Sequence, residues 1–321
     1  MNGMILVDKP KSYTSHDIVA KIRQTIGFQK VGHFGTLDPL ATGLLIIGTG
    51  KATRFFPFFS KLDKTYKGRL RFGYATDTYD SEGRPISPEI NNFPDKNILL
   101  REIKTFTGDF FQKPPPFSAK KIEGQRLYML ARKKKPIKLA PSSVTVKAFE
   151  VTDYSPPFLD FIVDCSSGTY IRSLAHDLGQ HLNCGAHLTE LRRINVGSFH
   201  INDAYSPDEI EAFHQKGHVE RFLKPIESLL TEYPKIILKE SSLNLARNGN
   251  KISPGDISSL DKHSQSSGEN IQNPNNIFRI FSPGGEFIAL ARNDYTKTFL
   301  HPFLVINNKK PESNIETKRK K

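Results

Sequence analysis

Gly32-His33-Phe34-Gly35-Thr36-Leu37-Asp38-Pro39-Leu40-Ala41-Thr42-Gly43 gathers three glycines, a proline, a histidine and a carboxylate within a dozen residues. Glycines let backbone approach a ligand closely. A carboxylate among them suits chemistry, but an aspartate before proline is also an ordinary turn former. Residue type leaves both readings of Asp38 open. The flanks supply the context. Ile18, Val19, Ile22 and Ile26 recur at helical spacing, with Thr14 or Ser15 as a cap and Gly27 as a stop. Leu44 to Ile47 is a short apolar run closed by Gly48-Thr49-Gly50, the pattern of a buried strand. Gln29 to Gly43 therefore reads as a basic, glycine-rich loop from helix to strand.

Further out, Tyr66, Gly68, Leu70, Phe72 and Tyr74 alternate with polar residues, as do Val144, Val146, Phe149, Val151 and then Leu159, Phe161, Val163, Cys165. These are half-buried strands. Helices are expected over Lys96 to Thr107, Gly124 to Lys135 and Tyr170 to Leu182. Another follows the capping box Ser206-Pro207-Asp208-Glu209. Lys113-Pro114-Pro115-Pro116 is a loop. Adjacent strand pairs mixed with helices indicate an α+β fold on a mixed, largely antiparallel sheet with flanking helices. The pattern shortens near Glu232. Phe278 and Ile280, then Phe287 and Ala289, flank Ser282-Pro283-Gly284-Gly285 as a hairpin. The expected organisation is a main domain over 1–232, a small β-rich module over 233–306 and a basic polar tail over 307–321. Within the module, Ser258 to Asn276 reads as a solvated loop.

Composition narrows the function classes. The 321 residues are 37% hydrophobic and 25% charged, as in a globular protein, and the net charge of +13 calls for a polyanionic partner. Charge does not distinguish DNA, RNA and anionic lipid. No apolar run is long enough for a bilayer. Met4 to Val7 is too short for a secretory leader, so a cytoplasmic location is expected. Cys165 and Cys184 form no Cys-x-x-Cys pair and read as buried thiols. Gly48-Thr49-Gly50-Lys51 fails as a phosphate loop, because Leu45 stands where the first glycine belongs and Ala52 follows the lysine. His176, His181 and His187 match no zinc spacing and read as helix-surface residues, so no metal is expected. Arg172 sits in a first helical turn beside Ile171, where a buried arginine would need a carboxylate, Asp38 being a candidate.

The chain resembles the bacterial TruB family of tRNA pseudouridine synthases. The matching strings run in family order: Val7-Asp8-Lys9-Pro10 with Thr14-Ser15; Gly32-His33 through Leu44; Lys64-Thr65-Tyr66-Lys67; Gly73 with Thr76-Asp77-Thr78-Tyr79-Asp80-Ser81-Glu82-Gly83; Gly108 with Gln112 and Pro114 through Lys121; Cys165 through Arg172; and Cys184 through Leu188 with Leu191-Arg192-Arg193. The resemblance implies isomerisation of T-loop uridine 55 of tRNA after base flipping. Asp38 would be the nucleophile and Arg172 its partner, with Tyr66 stacking on the base. Tyr170 and Leu191 would line the uracil pocket, and His33 would fill the space left by the extruded nucleotide. It further implies no cofactor and no obligate protein partner, a monomer acting on the T-arm stem-loop, and a PUA-like RNA-binding module over 233–306. Phe34 stands where the family usually has a small residue. The alternatives are an RNA-binding protein without catalysis, a guide-RNA-dependent enzyme of the same superfamily, and a base-excising glycosylase.

Overall fold

A computed structural model describes residues 2–28, 30–116, 121–122, 125–126, 140–231, 233–260, 277–293 and 298–306. The chain divides into two compact units, Met1–Lys224 and Pro225–Lys321. That division precedes the expected boundary at 232.

In the first unit the strands are β1 (Gly3–Lys9), β2 (Val31–His33), β3 (Thr42–Thr49), β4 (Lys64–Phe72), β5 (Gly108–Gln112), β8 (Ser142–Ser155), β9 (Phe158–Cys165), β10 (Ala186–Val196), β11 (Phe199–His200) and β12 (Leu223–Lys224). A two-residue hairpin supplies β6 (Lys121–Ile122) and β7 (Gln125–Arg126). That hairpin replaces the start of the basic helix expected over 124–135, the rest of which lies outside the described residues. The main sheet runs β12-β1-β3-β10-β4-β9-β8-β5, with β2 beside β3 and β11 beside β10. Among the described strands of this sheet, β3 and β10 pair in parallel and the other pairs are antiparallel, so the sheet is mixed and largely antiparallel, as expected.

Five helices are relevant: α1 (Ser15–Ile26), α2 (Phe56–Phe59), α3 (Lys96–Thr105), α4 (Ile171–His181) and α5 (Pro207–Gln215). Thr14 caps α1 in a reciprocal box with Asp17, and Gly27 ends it at φ 63°. Ile18, Val19, Ile22 and Ile26 are buried in the same core as Ile5, Val7, Leu45 and Ile47 of the sheet, and as Leu174 and Leu178 of α4. The glycine-rich loop is shorter than expected. Val31, Gly32 and His33 pair with Thr49, Gly48 and Ile47 as an edge strand, because Val31 buries its side chain while the backbone finds partners on β3.

In the second unit, five strands run β14-β13-β15-β16-β17: β13 (Lys235–Leu238), β14 (Ile257–Leu260), β15 (Ile277–Phe281), β16 (Phe287–Asn293) and β17 (Leu300–Val305). Their core includes Ile236, Leu238, Leu243, Ile280, Ile288 and Leu300. The expected hairpin around Ser282-Pro283-Gly284-Gly285 is β15-β16. Ser258 to Leu260, expected to begin a loop, are strand in β14; residues 261–276 and the tail lie outside the described residues. Among the described residues, no helix is long and apolar enough to cross a membrane.

Candidate active site

The segment between β2 and β3 is fastened along its length. Leu37 exchanges two hydrogen bonds with the Ser15 hydroxyl, donating its N–H at 2.8 Å and accepting at its carbonyl at 3.1 Å. Lys9, fully buried, donates to the carbonyls of Pro10 (2.9 Å), Tyr13 (2.7 Å) and Pro39 (3.5 Å). Burial lowers its ammonium pKa to about 8, against the attraction of Asp38. Arg193 of β10, also buried, donates to Leu44 (2.7 Å), Thr36 (3.4 Å) and Gly35 (3.2 Å). Gly43 makes this approach feasible. Its φ is 98°, and a Cβ there would sit 2.3 Å from the Arg193 carbonyl oxygen. Asp38 thus stands half-exposed on a fixed loop.

Arg172 reaches it from the first turn of α4. Its Nε lies 2.9 Å from Asp38 Oδ2, one terminal nitrogen lies 3.4 Å from Asp80 Oδ2, and that nitrogen donates to the Thr78 carbonyl at 2.9 Å. Asp80 is buried and accepts from the Thr78 hydroxyl at 2.6 Å and the Glu82 N–H at 3.1 Å. Beside it, Tyr79 adopts φ 66° and stacks on His176 at 3.7 Å. The start of α4 is held by Gln112, whose amide accepts from the Tyr170 N–H (2.8 Å) and donates to the Tyr170 carbonyl (3.0 Å). One buried side chain thereby satisfies both backbone groups of the residue preceding the helix.

A cavity of about 320 Å³ opens here, and Asp38, Tyr66, Tyr170, Arg172 and Leu191 all line it, with Lys64 and Arg193. Tyr66 is buried on β4, and burial raises its phenol pKa, so the hydroxyl stays protonated at neutral pH. His33 is not among the lining residues. It ends β2, meets His16 edge-on at 5.4 Å, and has its pKa lowered to about 4 by burial and then by the charges of His16 and Arg193.

Lys64, Asp80 and Arg193 received no role in the sequence reading. Arg192 and Arg193 are adjacent arginines, and only the strand register separates the one paired with Asp8 at the surface from the one buried at the site. His187, read as a helix-surface residue, is instead buried on β10 with Nδ1 3.1 Å from the Tyr74 carbonyl oxygen, because its strand faces the interior. Cys165 and Cys184 are free buried thiols.

Two family models match in tandem: the TruB family pseudouridylate synthase N-terminal domain over residues 23–171, and the tRNA pseudouridylate synthase B C-terminal domain over 172–231. Curated relatives called tRNA pseudouridine synthase B include that of Solibacter usitatus, 40% identical over 78% of this chain and 85% of its own length. That of Clostridium kluyveri is 34% identical over 91% and 96%, and that of Aquifex aeolicus 39% over 78% and 87%. Among solved structures, an H/ACA ribonucleoprotein bound to a substrate RNA containing 2'-deoxyuridine superposes with TM-score 0.69 at 22% identity, over 95% of this chain and 86% of that one. A Cbf5-Nop10-Gar1 complex matches at 0.69 and 24%, over 94% and 84%. These two share the fold. Identity at this level over most of the length of curated relatives assigns the chain: it belongs to the TruB family of pseudouridylate synthases.

Proposed function

We propose that this protein isomerises the T-loop uridine at position 55 of tRNA to pseudouridine, with Asp38 as nucleophile. The observation that carries the reading is the Asp38–Arg172 ion pair in the lining of a cavity shared with Tyr66, Tyr170 and Leu191.

The reaction breaks the N1 glycosidic bond, turns the ring and rejoins it through C5. It moves no net electrons and needs no cofactor. Flipping the uridine from its stack costs roughly a few kcal/mol, and stacking on an aromatic face returns about 1–3 kcal/mol. Tyr66 supplies that face, with Leu191 and Tyr170 completing an apolar slot that excludes water. Arg172 sets the Asp38 carboxylate toward the sugar. Three openings are available to a carboxylate: attack on C1′, attack on C6, or removal of the C2′ proton to give a glycal. His33, at the entrance to the loop, would occupy the space vacated by the nucleotide. The net charge of +13 suits phosphate contacts along the T arm, and the β-rich second unit would serve as a PUA-like RNA-binding module. The enzyme would act as a cytoplasmic monomer with no guide RNA.

The test is pseudouridine mapping of a T-loop stem-loop incubated with purified protein, with Asp38→Asn alongside. Conversion at the one T-loop uridine is expected, abolished in the variant, with RNA affinity kept within about threefold because the nucleophile acts after binding. Binding without conversion until a guide RNA is added would replace this reading with a guide-dependent one. An abasic product would mean a glycosylase.

A further inference from the structure

Two buried cations on the cavity wall take no part in the mechanism above. Lys64 opens β4 and is 6% exposed. Its Nζ donates to the carbonyls of Ser60 (2.7 Å) and Leu62. Arg193 is 1% exposed, donates to carbonyls of the catalytic loop and β3, and lies beside the Tyr66 hydroxyl. Among the described residues, neither forms an ion pair. The acids nearby are engaged by other cations: Asp38 and Asp80 face Arg172, and Asp63 pairs with Lys147. Burial and then the charge of Arg193 bring the Lys64 ammonium to a pKa of about 8.

Buried cations without carboxylates are destabilising. Here they line the same cavity as Asp38, and carbonyl dipoles fix them before any ligand arrives. Such an arrangement is suited to negative charge that develops only during reaction. Uracil enters neutral, and Tyr66, Ile171 and Leu191 line the same cavity as the two cations.

We propose that Lys64 and Arg193 form a subsite for the departing uracil ring and stabilise the anion formed when the glycosidic bond breaks. This rests on the proposed function. When the C1′–N1 bond breaks, its electron pair leaves with the ring and spreads over O2, N3 and O4. The sugar is completed by a new C1′–O bond to Asp38, or by loss of the C2′ proton to a base. The freed ring turns, and C5 bonds to C1′ as the C1′–O bond to Asp38 breaks and its electron pair returns to the carboxylate, or as C2′ regains its proton; the C5 proton leaves and N1 is protonated, so no atom or electron is gained or lost. The two cations hold the ring's charge between cleavage and rejoining, and oppose its escape from the cavity.

The experiment is single-turnover loss of the N1-linked nucleoside from two stem-loops, one carrying uridine and the other 5-fluorouridine at the target position. Wild type, Lys64→Met and Arg193→Lys are compared, with RNA affinity measured separately. Lys64→Met keeps the stem volume and removes an unpaired buried charge, so it should fold. It is expected to slow the uridine substrate about 100-fold, the usual cost of one preorganised charge-stabilising group. The 5-fluoro substrate, whose ring leaves as a weaker base, should slow about tenfold less, with affinity unchanged. Arg193→Lys should show the same sign of discrimination. Equal slowing of both substrates would overturn the proposal in favour of a purely architectural role. Weakened binding in step with rate would overturn it in favour of a phosphate contact, and unchanged rates would make both cations spectators. Wild type inert toward both RNAs would overturn the proposed function and this inference together.

Discussion

Arg172 bridges two carboxylates of different standing: Asp38 is half-exposed at the cavity, and Asp80 is buried behind it. A planar guanidinium can hold both at once, and an ammonium cannot. Arg172→Lys should therefore lower conversion about 100-fold or more while circular dichroism stays native. Near-normal turnover would mean Asp38 is held otherwise. Asp80→Asn keeps the shape but removes the buried charge, freeing Arg172 to shift; a rate loss of about tenfold with unchanged RNA affinity is expected. His33 carries a pH signature. Unfolded, it takes a proton at its ordinary value of 6.5, and folded, only near 4. Between these values the unfolded state binds more protons, so stability rises with pH and is lost on acidification from 6.5 toward 4. The loss assigned to this ring is about 2–3 kcal/mol. His33→Gln should shrink the difference between urea midpoints at pH 6.5 and 4.5; an unchanged difference would place the titration elsewhere. Asp38 and Arg172 were suggested as a pair because a core-facing arginine needs an acid. Asp80 was hidden among Asp77 and Glu82, which sequence spacing cannot rank.

At the level of elements, caps and periodicity carried the reading. Thr14 with Asp17, Ser206 with Glu209 and Asp95 each begin a helix where local chemistry places it. The edge strand β2 was illegible because three residues carry no period, and its pairing depends on β3 arriving alongside. Phe34 shows the same dependence. It lies just after β2, is 2% exposed, stacks on Phe59 at 5.5 Å and meets Phe56 edge-on at 6.3 Å. A Cβ on Gly48 would lie 2.4 Å from its ring. The bulky residue is thus absorbed by an aromatic cluster that includes α2, away from the cavity lining. Phe34→Ala should cost about 3–5 kcal/mol of unfolding free energy, as large-to-small core changes do. Conversion by the folded fraction should remain within about threefold, since the loop stays gripped by Ser15, Lys9 and Arg193. A rate loss exceeding the loss of folded protein would show that the cluster positions Asp38.

For the whole molecule, the division of labour follows from where the lining residues fall. Every one lies between Gly35 and Arg193, inside the first unit, and β12 closes that unit by pairing with β1. The second unit has its own core of Ile236, Leu238, Ile280 and Ile288, and none of its described residues is among those lining the cavity. A chain ending at Lys224 should therefore fold and convert a saturating stem-loop at a rate within about threefold of full length, because transition-state contacts are retained. It should bind more weakly, by about tenfold or more, and log affinity should fall less steeply with log salt, since each lost phosphate contact removes roughly 0.7–0.9 from the slope. Single-turnover rates and filter binding across a salt series separate the two effects. If the rate at saturation collapses with affinity, the second unit participates in assembling the catalytic state and is more than an RNA-holding module. If affinity and slope are unchanged, the cationic surface that engages RNA belongs to the first unit, and the β-rich unit serves another end.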